Sequence, residues 1–237
     1  MSYHGLSILA VVPARSGSKG IPCKNIAKIN GIPLVGLVGN VVKEIDCIDY
    51  AILSTDSSDI ANLGKAYDLQ VPFLRPKSLS EDDSLSVDVW HHAWLEAEKI
   101  TGKIFDISLF LEPTSPLRKA KDLYAAMDKL ILEDASSVIT VSISSAHSTP
   151  EKTILVDEHG LLGLYINNGT DFSIRQKIPN YYHRNGICYA AKRETIIRDK
   201  VIITPKTFAL VIERVVVNID EPIDLIFAEF LLSRSNE

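Results

Sequence analysis

The residues from Pro13 to Asn25 (PARSGSKGIPCKN) concentrate the chemistry of this chain. Arg15, Lys19 and Lys24 place three cations in one short stretch, with Gly17 and Gly20 between them and Ala14, Ser18 and Asn25 completing it. An arginine forks onto phosphate oxygens, and a lysine meets them as a point charge. Glycines let backbone amides approach an anion closely. The combination reads as a cradle for a polyphosphate, against the plainer reading of a solvated basic loop. It is neither a Walker loop nor a dinucleotide fingerprint, since GxxxxGK[ST] and GxGxxG are both missing. No Ser–His or Cys–His pairing suggests a covalent nucleophile. His91 and His92 are neighbours on a predicted helix and do not share a face, which disfavours a two-histidine metal site. Trp90 and Trp94, at i and i+4, read as core. Asp82-Asp83 reads as a helix-start feature, and Cys23 is given no role.

A loop of this kind must be held by rigid elements. Ser7–Val12 (SILAVV) is a buried strand by length and ends at Pro13, where the cradle begins. A helix over Pro33–Glu44, a strand over Tyr50–Ser54, a helix over Ser58–Tyr67 and a short strand over Val71–Leu74 follow. Asp83-Ser84 opens a helix to about Thr101. Then come a strand at Ile107–Leu111, a helix at Lys121–Glu133 and a strand at Val138–Ile143. This alternation predicts an α/β fold, a mostly parallel sheet with helices on both faces. Such sheets bind ligands beyond the carboxyl ends of their strands. From His147 to about Tyr182 the helical period is lost. Turns such as Glu158-His159-Gly160 and Asn167-Asn168-Gly169 point to a hairpin-rich insertion, a candidate subunit contact. Strands are expected again at Gly186–Ala191 and Val215–Ile219, and Pro222–Leu232 closes the chain as a helix with proline in its first turn.

Composition sets the outer bounds. The 237 residues suit one large domain, 1–237, with the arm at approximately 147–182 inserted in it. Apolar residues at 46% and charged residues at 23% exclude a disordered, collagenous or coiled-coil chain. Lys and Arg number 25 against 30 Asp and Glu, a net charge of -5, so no nucleic-acid partner is expected. Cys23, Cys47 and Cys188 form no CxxC pair, which argues against a zinc ribbon or disulfide framework and for a cytoplasmic protein. The first apolar run is too short for a signal sequence or a span, and no membrane association is expected. Asn168-Gly169-Thr170 matches a glycosylation acceptor but is given little weight.

Further motifs lie along the chain: Ser54-Thr55-Asp56, Arg75-Pro76, Pro113-Thr114-Ser115-Pro116-Leu117-Arg118, Arg175-Gln176 with Pro179 and Tyr182, Asn185-Gly186, and Asn218-Ile219-Asp220. With the Pro13 loop they resemble the acylneuraminate cytidylyltransferases, or CMP-sialic acid synthetases, including their legionaminic acid relatives. The likeness spans nearly the whole chain, and the Pro13 and Pro113 motifs carry most of it. It implies a Rossmann-like nucleotidyltransferase sheet with a dimerisation arm, a homodimer, and coupling of CTP to an acidic nine-carbon sugar with Mg²⁺ as cofactor. By the same resemblance Arg15 and Lys19 would bind the triphosphate and offset charge at the transition state, alongside Ala14, Gly17 and Ser18. Lys24 and Asn25 would finish the cradle, and Arg75 and Ser86 would contact base and phosphates. Glu112, Thr114, Ser115 and Arg118 would fall on the sugar side. Arg175 and Gln176 would reach a neighbouring subunit's site and the sugar carboxylate, while Tyr182 and Asn185 would shape the sugar pocket. Asp220, with Asn218, would hold the metal.

Three departures from the family pattern stand out. Asn218 replaces the first of two aspartates, so the metal site loses a charge unless Asp56 or Asp224 supplies it. Glu112 stands where glutamine is usual, and a carboxylate there repels an acidic sugar unless the sugar carries an amine or Glu112 is protonated. His183, followed by Arg184, stands where the family has arginine. The alternatives are a cytidylyltransferase for Kdo, disfavoured by Lys24-Asn25 and Glu112–Ser115, one for an amino-Kdo-like octulosonate, which Glu112 keeps open, and a catalytically weak nucleotide-binding relative, supported by Asn218 and Glu112 alone.

Overall fold

The computed structural model describes residues 3–166 and 178–234. Its centre is strand β1 (Ile8–Pro13), which is apolar throughout because both of its faces are covered. Ile8, Ala10 and Val12 point to one side, against helices α1 (Leu34–Lys43) and α4 (Ala120–Leu132). Leu9 and Val11 point to the other, against helix α3 (Ser86–Thr101). Each such side chain, fully buried, contributes roughly 1.5–3 kcal/mol. Trp90 and Trp94 lie in this second layer as core; their indoles donate to Ser108 Oγ at 2.8 Å and Glu98 Oε1 at 3.2 Å.

Around β1 the sheet has six strands. A short pair, β2 (Lys28–Ile29) and β3 (Ile32–Pro33), stands apart from it. The others are β4 (Tyr50–Ser54), β5 (Ile107–Phe110), β6 (Ser137–Ile143), β9 (Tyr182–Lys192) and β10 (Thr207–Val211). Their spatial order is β10-β6-β9-β5-β1-β4, and only β9 runs antiparallel to its neighbours. The expected mostly parallel sheet between helical layers is present. Helix α2 (Ser58–Ala66) follows β4, with the Ser57 hydroxyl accepting from Ile60 N. Helix α5 (Arg193–Ile197) follows β9, and α6 (Pro222–Arg234) ends the described chain.

Three local expectations need correction. Val71–Leu74 is no strand: the pairing stops at a single bridge between Ile52 and Gln70, because Pro72 has no N–H to donate. Val215–Ile219 is no strand either; it crosses toward α6, with Ile219 N donating to Thr114 O at 2.7 Å. The strand of this region is β10, an edge strand with exposed positions and hence a weaker apolar signal. Asp82-Asp83 does not start α3, which begins at Ser86. In the insertion, β7 (Ile154–Val156) and β8 (Leu162–Leu164) form a hairpin, and Asp157 Oδ1 accepts from His159 N and Leu161 N in its turn. The turn expected at Asn167–Gly169 lies outside the described residues.

Candidate active site

The cradle loop leaves the carboxyl end of β1 and is fixed at both ends. Ala14 N donates to Ser54 O at 2.9 Å. Ser16 donates to both oxygens of Asp56, through its N at 2.8 Å and its Oγ at 2.6 Å. Asp56 therefore braces the loop, and those bonds from Ser16 hold its carboxyl below the usual range against the opposing effect of burial. Asn25, buried, donates to Arg15 O at 2.8 Å. At the far end, a Cβ on Gly20 would overlap the carbonyl oxygen of Asp220, so glycine is needed for the loop to lie on that segment. Lys24 Nζ donates to Ile219 O at 2.8 Å and to Asp220 Oδ1 at 2.9 Å.

Beyond the loop opens a cavity of about 270 Å³, whose walls include Arg15, Gly17, Ser18, Lys24, Asn25, Arg75, Ser86, Glu112 and Thr114; Lys19 is not among them. Ala14 is buried in the core and does not line the cavity. Arg75 is buried, with Nε donating to Ser80 Oγ at 3.1 Å, and burial pulls its pKa down while Asp56 opposes. Arg15 donates to Glu81 O at 2.7 Å and pairs with Asp82 at 2.9 Å; Lys19 pairs with Asp82 at 2.8 Å. Asp82 thus belongs to the cleft. Lys19 and then Arg15 hold its carboxyl below the usual range.

A second cavity of about 230 Å³ adjoins the first and shares Ser86, Phe110 and Glu112 with it. Arg184, Tyr189 and Asn218 complete its polar lining. The Glu112 side chain lies against Gly186, which has φ +70°; a Cβ on that glycine would fall on Glu112 Oε2 and lie 2.5 Å from Ser115 Oγ. Burial raises the Glu112 carboxyl above its ordinary value, with Arg118 and Arg184 opposing.

Several residues expected on the sugar side do not face either cavity. Ser115 and Arg118 are buried. Ser115 Oγ donates to Asn185 O at 2.7 Å. Arg118 donates to Ile187 O at 2.5 Å, Glu112 O at 2.7 Å and Gly186 O at 3.0 Å. The Pro113 motif is clamped onto β9 by these bonds, and burial brings the Arg118 pKa down to about 10. Asn185 is also buried, bonded to Ser142 Oγ at 3.0 Å and accepting from Ile187 N at 3.2 Å. These three are spent on backbone and neighbours, whereas Thr114 and Glu112 remain in the walls. Tyr182 is exposed at the start of β9 and lines neither cavity described. Arg175 and Gln176 lie outside the described residues. Sequence reasoning did not single out Glu81, Asp82, Tyr189 or Arg184 as site residues; Arg184 was visible only as the neighbour of His183.

No group of three His, Cys, Asp or Glu side chains able to hold a metal occurs among the described residues. Asp220 offers one exposed carboxylate beside Lys24, and Asn218 Nδ2 donates to its other oxygen at 3.2 Å. Asp224 is engaged by Asp220 N at 2.9 Å and Glu221 N at 2.8 Å at the start of α6. This donor set suits a hard cation that binds through one carboxylate plus phosphate oxygens, rather than one needing an all-protein cage.

A family model described as Cytidylyltransferase matches residues 9–228. The chain is 31% identical, over 236 residues, to a CMP-N,N'-diacetyllegionaminic acid synthase of Legionella pneumophila, covering 98% of this chain and 99% of that protein. It is 28% identical, over 231 residues, to a pseudaminic acid cytidylyltransferase of Campylobacter jejuni, covering 97% of each. Among solved structures it resembles a CMP:2-keto-3-deoxy-manno-octonic acid synthetase complexed with CTP, with a TM-score of 0.69 and 16% identity over 97% of this chain and 99% of that one, a likeness of fold.

Proposed function

The chain belongs to the cytidylyltransferase family, and from that premise we propose that it couples CTP to an acidic nonulosonic sugar of the sialic or legionaminic kind, giving the CMP-sugar and pyrophosphate. One observation carries the reading: a cavity walled by Arg15, Lys24 and Arg75 adjoins a second polar cavity across Glu112 and Ser86, so two substrates can meet at a shared wall. The sugar hydroxyl oxygen forms a bond to the α-phosphorus as the bond from that phosphorus to the pyrophosphate oxygen breaks, and the hydroxyl proton is released. The displacement is in line, with no covalent enzyme intermediate.

Such a reaction needs positive charge and alignment more than a nucleophile. Arg15, Lys19 and Lys24 supply the charge, and the Gly17-Ser18 backbone, Asn25, Arg75 and Ser86 position the nucleotide. Glu112 and Thr114 face the sugar, which Arg175 and Gln176 reach from a neighbouring subunit. Asp220, assisted by Asn218, holds Mg²⁺, which supplies charge neutralisation at the phosphates. Exposed Ile154, Leu155, Val156, Leu162 and Leu164 on the β7–β8 hairpin support a homodimer through the arm. Three free cysteines support a cytoplasmic setting; among the described residues no helix is long and apolar enough to cross a membrane. Residues 1–237 act as one domain carrying the arm at about 147–182. The test is pyrophosphate release with CTP and Mg²⁺ across a panel of acidic sugars, with the other nucleoside triphosphates as controls. Turnover of a nonulosonic acid with CTP supports the reading. Tight CTP binding with no turnover of any sugar overturns it.

A further inference from the structure

Three polar side chains converge on the second cavity without partners. Among the described residues, nothing donates to the Glu112 carboxylate, no acceptor meets the Arg184 guanidinium, and the Tyr189 hydroxyl makes no hydrogen bond. Glu112 and Arg184 share the cavity, yet no ion pair joins them. The backbone accounts for the position of Arg184. It lies on β9 opposite Val141, where the β6–β9 register shifts between Ile139 and Val141. A register irregularity re-aims the side chains around it.

A half-buried carboxylate and a solvent-exposed guanidinium, neither met by a protein group among the described residues, form an unfinished dipole at the wall of one small cavity. A ligand that finishes it must bring a negative group to the cation and a hydrogen-bond donor to the acid. A neutral sugar leaves Arg184 unmet, and an acid turned the wrong way sets its charge against Glu112. We propose that Arg184, and not the Arg175 and Gln176 that the family resemblance implies for this contact, receives the carboxylate of the acidic sugar from within the same subunit, while Glu112 accepts a hydrogen from an N–H or O–H substituent of that sugar, so that the pair fixes both the class and the orientation of the substrate. The proposal rests on the function proposed above and deepens it. It also resolves the charge conflict at Glu112, because the sugar's own charge is held at the other end of the cavity. A polar site built this way rejects ligands that leave its groups unmet.

The experiment is steady-state kinetics of wild type, R184A, R184K and E112A with CTP and Mg²⁺. The varied substrates are acidic nonulosonic sugars bearing an N–H substituent and their deoxy counterparts, and CTP affinity is measured separately by calorimetry without sugar. R184A should raise the sugar KM roughly tenfold to a hundredfold, the loss expected for a charged hydrogen-bonded pair. CTP affinity should stay put, since Arg184 does not line the nucleotide cavity. R184K should fall between, having charge without the fork. E112A should narrow the preference for the N–H-bearing acid. An active wild type with an unchanged sugar KM in R184A overturns this assignment alone, as does a CTP affinity that weakens in step with the sugar KM. A wild type that binds CTP and uses no acidic sugar overturns the proposed function as well.

Discussion

Asp82 sits 2.9 Å from the Arg15 guanidinium and 2.8 Å from Lys19 Nζ, tying both cations to the Glu81–Asp82 turn. Glu81 O takes a second hydrogen of Arg15 at 2.7 Å. On the function proposed above, a triphosphate has to replace these contacts, so Asp82 would compete with it for the same charges. All three side chains have substantial exposure, and exposed pairs are individually weak. D82N should therefore tighten CTP binding by roughly two- to fivefold, with the gain shrinking at high salt. Calorimetric titration at two ionic strengths reads this directly, and weaker binding in D82N would show that Asp82 orders the loop instead of competing.

Much of the fold was legible because its strands are buried on both faces. The apolar run of β1, the YAILS of β4 and the ISLF of β5 have no polar positions large enough to confuse the reading. The Pro13 loop stood out because two glycines and three cations follow directly on a buried strand. Other features were hidden for physical reasons. Edge strand β10 shows water part of its surface and lacks a continuous apolar run. Arg118 reads as a cleft cation because arginine is seldom buried, yet three carbonyl oxygens from Glu112 and β9 take its hydrogens. The partnership of Asp82 with Arg15 joins residues far apart in the chain, and only the fold brings them together. Arg184 was obscured by a register shift that no local pattern announces.

Gly186 tests the link between β9 and the Pro113 motif. Its φ of +70° strains any residue with a Cβ, and that carbon would meet Glu112 Oε2 and Ser115 Oγ. The left-handed backbone costs about 1 kcal/mol or more, and the overpacking about 1–3 kcal/mol. G186A should lose about 2–4 kcal/mol in chemical denaturation and displace Glu112 from the shared wall. A variant within about 0.5 kcal/mol of wild type, the size of a typical surface change, would mean the backbone relaxes there at little cost.

Asn218 tests the metal reading. Its amide donates to Asp220 Oδ2 at 3.2 Å while Lys24 holds Oδ1 at 2.9 Å, so Asp220 is satisfied by protein groups alone. N218D removes that donor and sets a second carboxylate beside the first. Two carboxylates favour a hard divalent cation more than one does. The Mg²⁺ concentration for half-maximal activity should fall several-fold, and without Mg²⁺ the variant should melt at a lower temperature than wild type because of the new like-charge contact. An unchanged Mg²⁺ dependence would place the metal away from this pair.

Glu112 gives the pH dependence its sign. Burial holds its carboxyl above the ordinary value in the folded chain, Arg118 and Arg184 offsetting this only in part. Well below the ordinary carboxyl value of about 4.3 the group is protonated in both states and favours neither. As pH rises, the unfolded chain releases this proton first, so the unfolded state is favoured progressively until the raised folded value is passed. The folded state is thus relatively best at low pH, and this residue lowers stability at neutral pH. E112Q removes the ionisation and gives up no side-chain hydrogen bond, because the Glu112 carboxylate accepts none among the described residues, the bonds from Arg118 and Ser115 going to its backbone oxygen. Melting temperatures of the two proteins should therefore converge below the ordinary carboxyl value and separate as pH rises above it, with E112Q the more stable at neutral pH. A gap that is flat with pH, or that favours wild type at pH 8, would mean that Glu112 is already neutralised in the free enzyme and has no need of a donor from the sugar.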